Sequence, residues 1–281
     1  MWFPSPYPDE LFYSVLCRYY LSSGIKEHYL VKKQLFGTKA GVKMATLYPN
    51  AAVHAVLSQL PEGVFDGRDM ILHHTPFLYY ARMHPQQERE VLLDDLLQGR
   101  SKTPTHLWRT FPKGDYALRY CPLCIQEDTK IYGEAYYHVE HQIPLSSVCV
   151  RHRCRLKQIT IDNPRLALNN KFYPLSTMET DREPDMDVTA AELQVSELVR
   201  EYWRLPASVS PPACNNLYQT LLNSGYRTIV RQTGLNIDRA KLYTALCGYH
   251  EAEVVKKIFG ENISGTMMNR IKTWEQLLPD R

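Results

Sequence analysis

No stretch of these 281 residues approaches the ~18 consecutive apolar residues of a membrane-spanning helix, so no bilayer span is expected. The opening Met1-Trp2-Phe3-Pro4-Ser5-Pro6 lacks the basic and apolar regions of a secretory signal, and a soluble, cytoplasmic protein is expected. Cysteine is odd in number, seven in all, at positions 17, 121, 124, 149, 154, 214 and 247. An odd count with thiols spaced for metal argues against a disulfide framework. Net charge is only +3, too little for the whole chain to behave as a polycation toward nucleic acid. Catalytic signatures are missing as well. Gly37-Thr38-Lys39-Ala40-Gly41-Val42-Lys43 has the wrong glycine spacing and no Gly-Lys-Ser/Thr ending for a phosphate loop. His138-Val139-Glu140-His141 lacks the spacing of a zinc-protease helix, and the scattered acids offer no pair placed for phosphoryl transfer. A binding protein, not an enzyme, is expected.

The chemistry that is present lies in Cys121-Pro122-Leu123-Cys124 and, beyond residues 125–148, Cys149-Val150-Arg151-His152. Three sulfurs and one imidazole make a complete tetrahedral set for zinc, and a two-residue gap lets both side chains of a pair converge on one ion. A catalytic zinc keeps one position for water, whereas this set is full, so one structural Zn2+ is the expected cofactor. Cys154, just past His152, and His138 and His141 between the pairs are alternative donors for one of the four positions. Cys17, Cys214 and Cys247 stand singly and read as core residues. A DNA-reading ββα finger is excluded, because it needs about 12 residues between the pairs.

Charge is unevenly spread. Lys26, Lys32, Lys33, Lys39 and Lys43 face only Glu27 in one window, and Arg100, Lys102, Arg109, Lys113 and Arg119 face only Asp115 in another. Residues 179–201 reverse the sign, with only Arg182 and Arg200 among the acids. Pro8-Asp9-Glu10 looks like a helix start with acids at the positive end of the dipole, followed by Leu11, Val15, Leu16 and Tyr19 and stopped at Gly24. A second helix is expected over Glu27 to Phe36, with Lys32 and Lys33 outward, and the two resemble a helix-turn-helix. Val91, Leu92, Leu96 and Leu97 line a helix opened by His84-Pro85. Periodicity leaves Ala135 to Ile143 open between strand and helix. Thr189 and Glu192 form a capping box ahead of Leu193, Leu198, Val199 and Trp203. Short helices are expected over Leu217 to Leu222, Asp238 to Cys247 and His250 to Phe259, and Leu235 to Arg239 reads as the start of a second helix-turn-helix. The chain is therefore expected to be mainly α, with an N-terminal helix-turn-helix-like helical domain over 1–100, a structural zinc-finger module over 101–160, a linker over 161–188 and a small C-terminal helical domain over 189–281. The candidate phosphate-binding residues are Lys32, Lys33, Lys39, Lys43, Arg109, Lys113, Arg227 and Arg231.

Phe3-Pro4 with Pro6-Tyr7-Pro8-Asp9-Glu10-Leu11, Tyr13-Ser14 and Arg18, then Gly133-Glu134, His141 and Pro144, Arg119 to Cys124, and Cys149 through His152 to Leu156, together resemble the TniQ/TnsD family. The resemblance covers roughly the first 160 residues. It implies a bacterial target-selection adaptor of DNA transposition. Such an adaptor links target DNA, read directly or through an RNA-guided CRISPR effector complex, to the AAA+ ATPase TnsC, which recruits the transposase. Without a long C-terminal extension or a second cysteine pair, the chain is expected to stand nearer the shorter TniQ type. The alternative reading is a stand-alone, sequence-specific DNA-binding regulator with a structural zinc.

Overall fold

The computed structural model describes residues 2–37, 52–61, 63, 65–82, 86–100, 117–209, 221, 223–230 and 234–260. The fold is mainly helical, and no helix among the described residues is long and apolar enough to cross a membrane. Helix α1 (Phe12–Ser23) buries Phe12, Tyr13, Val15, Leu16, Cys17 and Tyr19 and ends at Gly24, whose φ of +68° favours a residue without Cβ. Helix α2 (His28–Phe36) adds Val31, Leu35 and Phe36. Four further helices, α3 (Ala52–Leu57), α4 (Gly67–His73), α5 (Phe77–Ala81) and α6 (Gln86–Leu97), feed the same core. On α6 the buried stripe is Leu92, Leu93 and Leu96, whereas Val91, expected inward, is exposed on the opposite side.

The start of α1 differs from the sequence expectation. Leu11, not an acid, is the N-cap residue, and the first turn holds no carboxylate. Asp9 takes a left-handed φ of +59°, and Glu10 is fully buried and bridges to His138 across the molecule. The local dipole rule loses here to a tertiary contact.

Residues 161–188 contain helix α9 (Pro164–Asn170) and a 3-10 turn (Leu175–Thr177), and they place Leu168, Phe172 and Leu175 in the main core. Helix α10 (Ala190–Arg204) begins with the expected reciprocal Thr189/Glu192 capping box. It buries Ala191, Val195, Val199 and Trp203, while Leu198 faces out. Its C-terminal end is held by Arg82, a fully buried guanidinium that donates to the carbonyls of Trp203, Leu205, Pro206 and Val209 at 3.2, 2.6, 3.0 and 3.0 Å. A cation at the negative end of a helix satisfies carbonyls that have no partner inside it.

The last described elements are a hairpin of β5 (Arg227–Val230) and β6 (Gly234–Ile237), helix α11 (Arg239–Tyr249) and helix α12 (Ala252–Phe259). Val254 joins the main core, and α12 packs on α10. Leu235 to Ile237, expected to begin a second helix-turn-helix, are strand instead. The β-branched run Thr228-Ile229-Val230 supplies the partner, and Asp238 caps α11 through the amide of Lys241. The helix expected over Leu217 to Leu222 lies largely outside the described residues.

Candidate metal centre

Two short antiparallel pairs frame the cysteines. Strand β1 (Arg119–Tyr120) pairs with β4 (Lys157–Gln158), and between them β2 (Val148–Cys149) pairs with β3 (Cys154–Arg155). Helix α7 (Pro122–Tyr132) starts immediately after Cys121, with proline in its first turn where no amide donor is needed. The Cys121 Sγ occupies the N-cap position and accepts the Cys124 amide at 3.4 Å, so the sulfur sits where a helix favours negative charge. Gly133 closes this helix with a φ of +81°. The second pair is set by the tight turn from β2 to β3. There the Arg153 amide donates to the Cys149 carbonyl at 2.7 Å, and Arg153 itself is forced to a φ of +51°.

These two knuckles bring Cys121, Cys124, Cys149 and His152 together, with donor atoms all within 4.8 Å of one another. His152 Nδ1 lies 3.4, 3.3 and 3.6 Å from the sulfurs of Cys121, Cys124 and Cys149, and the Cys124 and Cys149 sulfurs are 3.8 Å apart. A tetrahedral zinc with ~2.3 Å sulfur and ~2.0 Å nitrogen bonds would separate its ligands by roughly 3.5 to 3.8 Å, so these four separations are close to ligand spacing. The protonation chemistry agrees. Hydrogen bonding with Cys124 and Cys149 draws Cys121 toward the thiolate, and the same contact with Cys121 drives Cys124 toward the thiol. Buried side by side, the thiols resist ionising together, and a divalent cation removes that conflict. The four residues fit a structural metal ion, with His152 offering Nδ1 and its outer Nε2 lying 3.2 Å from a carboxylate oxygen of Glu127 on α7. Glu127 carries no sequence signal for this role, because only the tertiary fold sets it beside the imidazole.

The alternative donors are placed differently. His141, on helix α8 (Val139–Gln142), has Nε2 4.0 Å from the Cys124 sulfur, and burial lowers its pKa toward the neutral form. His138 turns away from the cluster, with Nε2 2.9 Å from Asp128 and Nδ1 3.4 Å from Asp9. Burial opposes its charge, but hydrogen bonds to these carboxylates win and push it up to about 10. The Cys154 sulfur is fully buried, 3.3 Å from that of Cys121.

The metal module is tied to the N-terminal segment by a dense set of links. The Leu11 amide donates to the Tyr137 carbonyl at 2.7 Å, and the Val139 amide to the Asp9 carbonyl at 2.8 Å. Arg18 reaches Glu10 at 2.9 Å and Glu134 at 2.7 Å, with its guanidinium carbon 3.6 Å from the centre of the Tyr7 ring. Tyr136 Oη donates to the Pro8 carbonyl, and the Tyr137 amide to Ser14 Oγ. A basic run at the end of the module is met by the acidic segment behind it: Arg155 pairs with Asp185 and Glu192, and Lys157 with Asp181.

Of the candidate phosphate-binding residues, Lys33 is exposed on α2. Lys32, expected outward beside it, is partly buried and donates to the Asn169 carbonyl at 2.8 Å, at the end of α9. Lys39, Lys43, Arg109, Lys113 and Arg231 lie outside the described residues. Arg227 opens β5, where the backbone alone is described.

The TniQ family pattern matches residues 1–156, which run from the N-terminal segment, a strap fastened to the metal module through Tyr7 to Arg18, to the end of the metal cluster. Over 155 residues the chain is 27% identical to transposon Tn7 transposition protein TnsD of Escherichia coli, an alignment that spans 53% of this chain and 30% of that protein. With more than half of its length matched, and the matched segment built around the strap and the cysteine cluster, the chain belongs to the TniQ family.

Proposed function

We propose that the chain is a target-selection adaptor in DNA transposition, joining target DNA to the AAA+ ATPase regulator TnsC, which in turn recruits the transposase. Target DNA is reached directly or through an RNA-guided CRISPR effector complex. The observation that carries this reading is the family match over 1–156, supported by the similarity to a Tn7 transposition protein. The architecture supports a binding role. The metal set is full, and Asp9, Glu10, Arg18 and His138 are engaged in fastening the strap to the metal module. In this reading, exposed Lys33 and the sequence-nominated Lys39, Lys43, Arg109, Lys113, Arg227 and Arg231 contact phosphates, whereas Lys32 supports α9.

The test is a retention experiment with the purified, zinc-loaded chain, the TnsC-type ATPase, ATP and a library of genomic fragments near physiological salt. Retention of the ATPase on DNA only when the chain is present is the expected result. Enrichment of one locus would identify direct reading, and ATPase capture without locus enrichment would point to a guide complex. Tight binding to one duplex with no ATPase capture would replace the adaptor by a stand-alone DNA-binding regulator.

A further inference from the structure

We propose that Cys154 is a fifth, reserve donor of the metal centre, able to complete the zinc set in place of His152. The sulfur of Cys154 lies 3.3 Å from that of Cys121, inside the ~3.8 Å that separates two thiolates on one tetrahedral zinc. It is directly opposite Cys149 in the β2–β3 pair, and cross-strand partners project their side chains to the same face. The turn that presents His152 therefore also presents Cys154, from the facing strand and at fixed register.

The two residues approach the cluster from different sides. Cys154 is completely buried with the other three cysteines, Leu123 and Leu156, whereas the His152 side chain is 20% exposed and faces Glu127 on its outer side. Cys121, Cys124 and Cys149 thus form a fixed trio whose fourth partner comes either from the solvent edge or from the core. His141 reaches both Cys124 and Cys149, but its Nε2 stands 4.0 Å from the Cys124 sulfur, beyond zinc-ligand spacing, whereas Cys154 is at 3.3 Å from Cys121; His138 is held between Asp9 and Asp128. With three thiolates and a neutral imidazole the zinc centre carries a net charge of −1, and with four thiolates −2. Glu127, beside the imidazole, favours the first state. A buried thiol with only a packing role would instead do no more than donate a hydrogen bond to Cys121.

Cobalt(II) substitution of the full chain separates these roles, because thiolate-to-cobalt charge-transfer absorption grows with the number of bound thiolates. His152→Ala is expected to keep one equivalent of cobalt with four-thiolate intensity, and Cys154→Ser one equivalent with three-thiolate intensity. The double variant loses the metal. A His152→Ala protein that fails to fold, loses cobalt or shows three-thiolate intensity overturns the proposal, since Cys154 then does not substitute. A second measurement needs only Cys154→Ser, which keeps a hydrogen-bond donor beside Cys121 but is a poor zinc ligand. Its zinc should pass to a competing chelator about tenfold faster than from the unaltered chain. An unchanged transfer rate would reduce Cys154 to a hydrogen-bond donor and sink the reserve-ligand assignment.

Discussion

Replacing Glu10 by glutamine should change the pH dependence of stability in a defined direction. Glu10 is fully buried, and its Oε2 accepts from the Tyr7 amide and from Arg18, both at 2.9 Å. Burial pushes its pKa from the ordinary 4.5 up to about 7, in spite of the opposing pull of Arg18 and the Tyr7 amide. The folded chain therefore holds this proton more tightly than the unfolded chain. The associated stability is fully present below about pH 4.5 and is lost as pH rises through about 7. At about 1.4 kcal/mol per pKa unit, the ionisable group costs the fold roughly 2 to 3 kcal/mol between pH 5 and pH 8. A glutamine carbonyl can accept the same two hydrogen bonds without titrating, and Arg18 retains Glu134 at 2.7 Å. The stability of Glu10→Gln relative to the unaltered chain should thus rise by about 2 to 3 kcal/mol from pH 5 to pH 8. Urea denaturation of both zinc-loaded proteins at four pH values reads this difference directly. Asp9, His138 and the metal ligands titrate in both chains and cancel. Parallel stability curves across the range would refute the reasoning and remove Glu10 from the pH-sensitive fastening of the strap.

Cys121→Ser and Cys149→Ser should each abolish stoichiometric zinc, measured by elemental analysis, and lose soluble protein with it, because metal binding supplies much of a small module's folding energy. Arg82→Met removes the guanidinium from four carbonyls at the end of α10, of which that of Pro206 keeps the Val209 amide, and is expected to lower unfolding free energy by about 2 to 4 kcal/mol, read from the denaturation midpoint. Arg153→Gly removes a left-handed strain from the metal knuckle and should raise stability by about 0.5 to 1 kcal/mol at unchanged zinc content; a loss would show that the Arg153 side chain holds the turn. Lys33→Ala should reduce the slope of log affinity for duplex DNA against log salt by about 0.9, while Lys32→Ala leaves the slope nearly intact and lowers stability by about 1 kcal/mol. Equal effects of the two on the slope would contradict their placement on α2.

Features whose physics is local were legible in the residues alone. Side chains two residues apart converge because the intervening backbone can turn only in a few ways, so Cys121, Cys124, Cys149 and His152 could be named as candidate donors, and the fold brings these four together. The Thr189/Glu192 cap and the stop at Gly24 follow from one turn of backbone chemistry, and both stand where the pattern put them. Tertiary structure decided everything that depends on a distant partner. Asp9 and Glu10 look like helix-start acids, yet they are drawn under the chain by His138 and Arg18, residues whose proximity no spacing rule contains. Lys32 and Lys33 are adjacent and alike in sequence, but α9 packs beside only one of them. The hairpin before α11 was hidden because a short apolar run suits strand and helix alike until a pairing strand selects one. Glu127 and Cys154 reach the metal cluster through helix phase and strand register, quantities fixed only when the whole core of α1 to α10 closes around them.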